Sequence, residues 1–160
     1  MGAIRRALIP VAVLALGLAF AGCGGPGPPT AAVTVETDGD FLAFKPAQIA
    51  VPAGAAVVLT FHHAGHVITQ SHDWVLARPG TVAALIGDIG RAAALVADPE
   101  GKIFLKPGDP RVLAATPPVG KGQTTTITFT APATPGDYPF FCSTPGHGES
   151  MQGVMHVFAR

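Results

Sequence analysis

Tyr138-Pro139-Phe140-Phe141-Cys142-Ser143-Thr144-Pro145-Gly146-His147-Gly148-Glu149-Ser150-Met151 runs from an apolar strand into a loop shaped by proline and glycine. Cys142 stands at the strand end, and His147 and Met151 follow at the spacing C-x4-H-x3-M. A further strand signal, Gly153–Phe158, begins just beyond the loop. Two strands therefore hold the loop ends while Pro145 and Gly146 form its turn. Taken singly, a cysteine in a core, a loop histidine and a gap-filling methionine are commonplace. Together at this spacing they make a donor set of one thiolate, one imidazole and one thioether. That set suits copper, whereas zinc would want more thiolate or imidazole and has little use for methionine.

Outward from this loop, the chain reads as short strands between Gly/Pro turns. Val33 and Val35, then Phe41 and Phe44, suggest opening strands around the turn Asp38-Gly39-Asp40. Ile49–Val51, the turn Pro52-Ala53-Gly54 and Ala56–Phe61 suggest a further pair, and Asp73–Leu76 a short strand. Residues 81–96 are the helix candidate. Thr81 is placed to cap it, Val82, Leu85, Ile86 and Ile89 recur at helical spacing, and Leu95 extends the run. Strand signals resume at Lys102–Leu105, Arg111–Ala114, Thr124–Thr130 and Asp137–Cys142. The expected fold is all-β: a Greek-key β-sandwich or barrel of about eight strands with one short helical insertion.

Composition agrees. Of 160 residues, 48% are hydrophobic and 12% charged, with 20 Gly and 16 Pro, which suits one loop-rich domain better than a helical bundle. The formal net charge is zero and no basic stripe or aromatic stacking platform is present, so nothing points to nucleic acid.

The amino-terminal segment has a different pattern. Arg5 and Arg6 precede an apolar run from Ala7 to Phe20, too short to span a bilayer comfortably. Phe20-Ala21-Gly22-Cys23 then places small residues directly before a cysteine, in the manner of a bacterial lipobox. The expectation is a signal peptide over residues 1–22, lipidation of Cys23, a Gly/Pro tether over residues 23–31 and a domain over residues 32–160. An ordinary signal peptide with a chance cysteine, or an uncleaved anchor, are the alternatives. Loss of Arg5 and Arg6 would leave eight basic and ten acidic side chains, a formal charge of −2. With Cys23 lipidated, Cys142 has no disulfide partner, and an exported protein with one unpaired thiol needs a reason for it. Metal ligation supplies one.

A second imidazole would complete the site. His72 stands at a turn-to-strand junction before Asp73-Trp74-Val75-Leu76, where a fixed backbone can aim a side chain inward. His62, His63 and His66 lie in a Gly-containing loop expected to be exposed, and His156 lies in the final strand. His72 is the best placed. Two histidines, one cysteine and a weak axial methionine form the ligand set of a blue-copper electron-transfer site.

His72-Asp73-Trp74-Val75-Leu76, the run Phe104–Val112 and Phe140–His147 together resemble the cupredoxins, specifically the azurin–auracyanin branch, over Phe41 to Val157. The helical insertion falls where azurins carry theirs. The resemblance implies one type 1 copper ion, cycling between Cu(I) and Cu(II), with His72, Cys142 and His147 equatorial and Met151 axial. It also implies a weak contact from the Ser71 backbone carbonyl. Azurins have Asn where this chain has Asp73, tying the first ligand loop to the segment after the ligand cysteine, here Ser143 and Thr144. Thr144 replaces a bulky residue, and the azurin disulfide cannot form. No general acid–base pair or open coordination position is evident, which argues against an enzyme.

The expected function is single-electron carriage between membrane-associated redox partners outside the cytoplasm, such as cytochromes or membrane electron-transfer complexes. The carrier would be a monomer, in the bacterial periplasm or on the outer face of the cell membrane, held there by its lipid. The alternative is a copper trafficking or storage lipoprotein using His62, His63 and His66 as an auxiliary site.

Overall fold

The computed structural model describes residues 27, 29–67, 69–97 and 102–159. The signal peptide expected over residues 1–22 and the lipidation site Cys23 lie outside the described residues. In chain order the elements are β1 (Thr30–Thr37), β2 (Phe44–Lys45), β3 (Gln48–Pro52), β4 (Ala56–His62), β5 (Val75–Ala77), α1 (Val82–Ala94), β6 (Val112–Ala115), β7 (Thr124–Thr130), β8 (Gly136–Phe141) and β9 (Gln152–Phe158).

The strands form two sheets, ordered β2-β1-β4-β7 and β3-β9-β8-β5-β6. β1 runs parallel to β4 and β3 parallel to β9; the other neighbours are antiparallel. Alternation decides which side chains meet between the sheets. Along β4, Val57, Leu59 and Phe61 turn inward, and along β9 Met155 and Val157 do the same. They join Val35, Ile49, Val51, Leu76 and Phe140 around the fully buried Trp74 in one core. The all-β sandwich expected from the turn spacing is therefore the fold.

β5 and the end of β8 are buried on both faces, since α1 covers the outer side of their sheet. Leu85 and Ile89 of α1 pack with Val75, Ala77 and Phe141 there. The helix is shorter than the periodic run, because Leu95 is its C-cap and 88% exposed. Thr81 occupies the N-cap but makes no side-chain cap. Its hydroxyl donates to the Arg78 carbonyl at 2.7 Å instead. Lys102–Leu105 is not a strand: Phe104 and Leu105 pack, half-buried, against the α1 cluster and belong to neither sheet. Phe41 likewise sits in a bend, largely exposed.

Candidate metal centre

The loop between β8 and β9 is closed at its base and turned at its tip. The Cys142 N–H donates to the Met151 carbonyl at 3.1 Å, and the Met151 N–H to the His147 carbonyl at 2.9 Å. At the tip the Thr144 carbonyl accepts the His147 N–H at 3.0 Å. Pro145 and Gly146 lie between them, with Gly146 at φ +82°. This is a type II turn, with proline and glycine at the positions its dihedrals demand. Gly148 lets the loop lie on α1: a Cβ there would meet Ile86 Cγ1 at 2.9 Å and the Cys142 carbonyl at 3.0 Å.

His72 enters from the connection between β4 and β5. Its backbone bridges to Val119, donating its N–H at 3.0 Å and accepting at 2.8 Å. One residue pair further on, the Trp74 N–H donates to the Thr116 hydroxyl at 3.0 Å. The imidazole is thus aimed from a rigid backbone.

The structure brings His72, Cys142 and His147 together in a buried cluster. His72 Nδ1 is 3.7 Å and His147 Nδ1 3.9 Å from Cys142 Sγ, and the two nitrogens are 3.2 Å apart. The circle through these three atoms has a radius of about 2.1 Å. Typical bonds from zinc, a neighbouring first-row ion, are about 2.0–2.1 Å to nitrogen and about 2.3 Å to sulfur. The triangle is of the size that a single such ion would need, with His72, Cys142 and His147 as the residues that would hold it. Met151, whose carbonyl closes the loop against Cys142, is fully buried and belongs to the main core.

Two clasps bracket the ligand pair. Asp73 accepts both the N–H and the hydroxyl of Ser143. The Thr144 hydroxyl donates to the Ser71 carbonyl at 2.7 Å, leaving that oxygen a second lone pair. The tie expected from Asp73 to both Ser143 and Thr144 is thus divided: Asp73 holds Ser143, and Thr144 holds Ser71.

Burial sets the protonation of the metal-free cluster. It lowers His72 from 6.5 to about 4, with the neighbouring His147 and His63 acting in the same direction. It also lowers His147, so both imidazoles are neutral and available as ligands at pH 7. Burial, reinforced by the Asp73 charge, raises the Cys142 thiol to about 12, against hydrogen bonds from Thr144 and the Asp73 backbone. A metal ion entering the cluster would displace that proton and bind thiolate.

The other histidines go elsewhere. His63, expected in an exposed loop, is fully buried, with its ring centroid 4.7 Å from that of His72. Its Nδ1 accepts the Gly65 N–H at 3.1 Å and its Nε2 meets the Gln70 carbonyl at 3.0 Å. His62 Nδ1 pairs with the Thr124 hydroxyl at 2.9 Å, His66 is exposed, and His156 pairs with Asp137 at 2.7 Å. With both its ring nitrogens engaged, His63 offers nothing to an auxiliary site with His62 and His66. Among the described residues Cys142 is the one free cysteine, and no helix is long and apolar enough to cross a membrane.

Gln70 was not foreseen as part of the site. Its Oε1 lies 3.0 Å from His147 Nε2, and His147 is only 4% exposed. Its place two residues before His72 was the available signal.

Residues 31–158 match the model of the copper binding proteins, plastocyanin/azurin family. Azurin iso-2 of Methylomonas sp. (strain J) is 36% identical over 129 residues, covering 78% of this chain and 95% of the relative. Auracyanin-A of Chloroflexus aurantiacus is 31% identical over 164 aligned residues, covering 95% of this chain and 96% of the relative. Its solved structure, described as that of a "blue" copper protein, superimposes with a TM-score of 0.67 over 81% of this chain and 99% of that one. Reduced auracyanin of Roseiflexus castenholzii gives the same TM-score at 33% identity, covering 79% of this chain and 96% of that chain.

Proposed function

Because the chain belongs to the plastocyanin/azurin family of copper-binding proteins, we propose that it carries single electrons on one type 1 copper ion. In this reading His72, Cys142 and His147 are the equatorial ligands and Met151 the axial one, with the Ser71 carbonyl as a weak further contact. The observation that carries the assignment is the triangle of two Nδ1 atoms and one Sγ, whose size fits a single ion. Cu(I) favours soft ligands and few of them, while Cu(II) favours a tetragonal set. Ligands held by the Val119 bridge, the Cys142–Met151 closure and the two clasps would serve both states with little rearrangement. The bound copper supplies the redox couple. The residues supply orientation and exclusion of water, and Asp73 sets a buried carboxyl group beside the cluster.

Carriage rather than catalysis is supported by the burial of all four side chains of this donor set. The partners in this reading are other redox proteins, met transiently by a monomer outside the cytoplasm. Phe20-Ala21-Gly22-Cys23 and the Gly/Pro run behind it support a lipid on Cys23 that keeps the carrier at a membrane. Mass spectrometry of the membrane-bound protein tests this, and an unmodified amino terminus would rule the lipid out.

The copper assignment is tested by adding Cu(II) to the protein and recording its visible spectrum. An intense thiolate-to-copper band is expected, and Cys142→Ser should abolish it. A band that survives in the folded variant would place the ligand elsewhere.

A further inference from the structure

We propose that Gln70 is the outer partner of His147, a positioning residue that fixes the imidazole's tautomer and closes its outer edge to water. The inference rests on the copper reading above, in which His147 binds through Nδ1. That nitrogen is turned inward, 3.2 Å from His72 Nδ1 and 3.9 Å from Cys142 Sγ. A neutral imidazole carries one N–H. If Nδ1 is to give its lone pair to a metal, the hydrogen sits on Nε2, 3.0 Å from Gln70 Oε1. The Gln70 side-chain amide oxygen accepts it. A histidine ligand whose second N–H is held in this way is fixed in ring orientation and made a better donor.

The arm that carries Gln70 is itself tied down. His63 Nδ1 accepts the Gly65 N–H, so the hydrogen of that neutral ring is on Nε2 and is donated to the Gln70 carbonyl at 3.0 Å. The Asp40 carboxylate accepts the N–H groups of His66 and Val67, each at 2.9 Å. The Lys121 ammonium donates to the His66 carbonyl at 2.6 Å. A Cβ at Gly65 would come within 2.7 Å of His63 Cε1, so the segment has no slack there. Although Gln70 itself is exposed, its backbone is set by the buried His63, and its amide reaches His147 from a fixed origin.

Nitrogen-15 NMR of the full chain, metal-free and loaded with Cu(I), tests the proposal. His147 should be the Nε2–H tautomer, with that hydrogen exchanging with water more slowly than in Gln70→Ala. The loss of protection should be roughly threefold to tenfold, the range of one net hydrogen bond. Gln70→Glu, which keeps an acceptor, should retain the protection. Equal exchange in wild type and Gln70→Ala, or an Nδ1–H tautomer in the metal-free wild type, would overturn the role. The tautomer is read without any variant, so a folding defect in one cannot blur the result. Protection with no uptake of Cu(I) would uphold the Gln70 bond and sink the copper reading alone. Uptake of Cu(I) with an unprotected Nε2–H would do the reverse.

Discussion

At Asp73 a buried carboxyl group takes two hydrogen bonds from one neighbour, the N–H and hydroxyl of Ser143. Burial raises its pKa, and those two bonds pull the other way. When ionised it places a negative charge beside the Cys142 sulfur and favours Cu(II). At ~7 Å and an effective dielectric of ~20, one charge is worth about 2 kcal/mol, on the order of 100 mV for one electron. Asp73→Asn keeps an acceptor for the Ser143 N–H and offers a donor to its hydroxyl, so the clasp survives without the charge. The potential of the variant should therefore be the higher one wherever Asp73 is ionised, and the two potentials should converge as the pH falls and the carboxylate takes up its proton. Voltammograms of the two proteins that superimpose would refute the effect. His63 shows where a residue escaped reading. Val57, Leu59 and Phe61 turn inward along β4, and His63 continues that parity. The alternation was legible, but histidine's polarity beside Gly65 argued for an exposed loop. Burial is tolerated because both ring nitrogens are bonded.

At the scale of elements, the 142–151 loop was the most readable part of the chain because its turn chemistry and its ligands are the same residues. Thr144-Pro145-Gly146-His147 forms the turn that lifts His147 over Cys142. Gly146→Ala must hold a side chain at φ +82°, which costs about 1–2 kcal/mol. Urea unfolding of the metal-free variant should show a loss of that size. An unchanged midpoint would mean that the turn relaxes to another type. Strands with one face turned inward, buried in β4 and half-buried in β7, were equally legible by alternation. Lys102–Leu105 was misread because a short apolar run carries no period. Phe104 and Leu105 are apolar because they pack against the helix cluster, and no strand pairing is needed to bury them. Thr81 failed as a cap for a local reason: its hydroxyl already serves the Arg78 carbonyl, closing the turn before α1.

Over the whole molecule, the buried cluster links stability to pH. The folded metal-free chain holds His72 and His147 neutral, with His72 lowered to about 4, whereas the unfolded chain protonates both near 6.5. Their contribution is present above pH 6.5 and is lost as the pH falls below it, for His72 toward 4. Asp73, raised by burial, opposes this over the same window, since its contribution is lost as the pH rises above the ordinary carboxylate range. Two imidazoles against one carboxyl leave a net uptake of up to about one proton on unfolding. The metal-free protein should therefore be less resistant to urea at pH 5 than at pH 7, and copper should raise stability at both. Greater resistance at pH 5 would show that the imidazoles are not held neutral. Strand order carries a consequence of a different kind, for the sequence of assembly. The sheet β2-β1-β4-β7 can form once Thr130 has emerged from whatever machinery delivers the chain. The other cannot, because β9 lies inside it, and β3 has no neighbour in its sheet but β9. Half of the sandwich waits, with its apolar face uncovered, for residues 152–158. The loop holding Cys142 and His147 is slung between β8 and that late strand, so the folded donor triangle with His72 is complete only when the domain is finished.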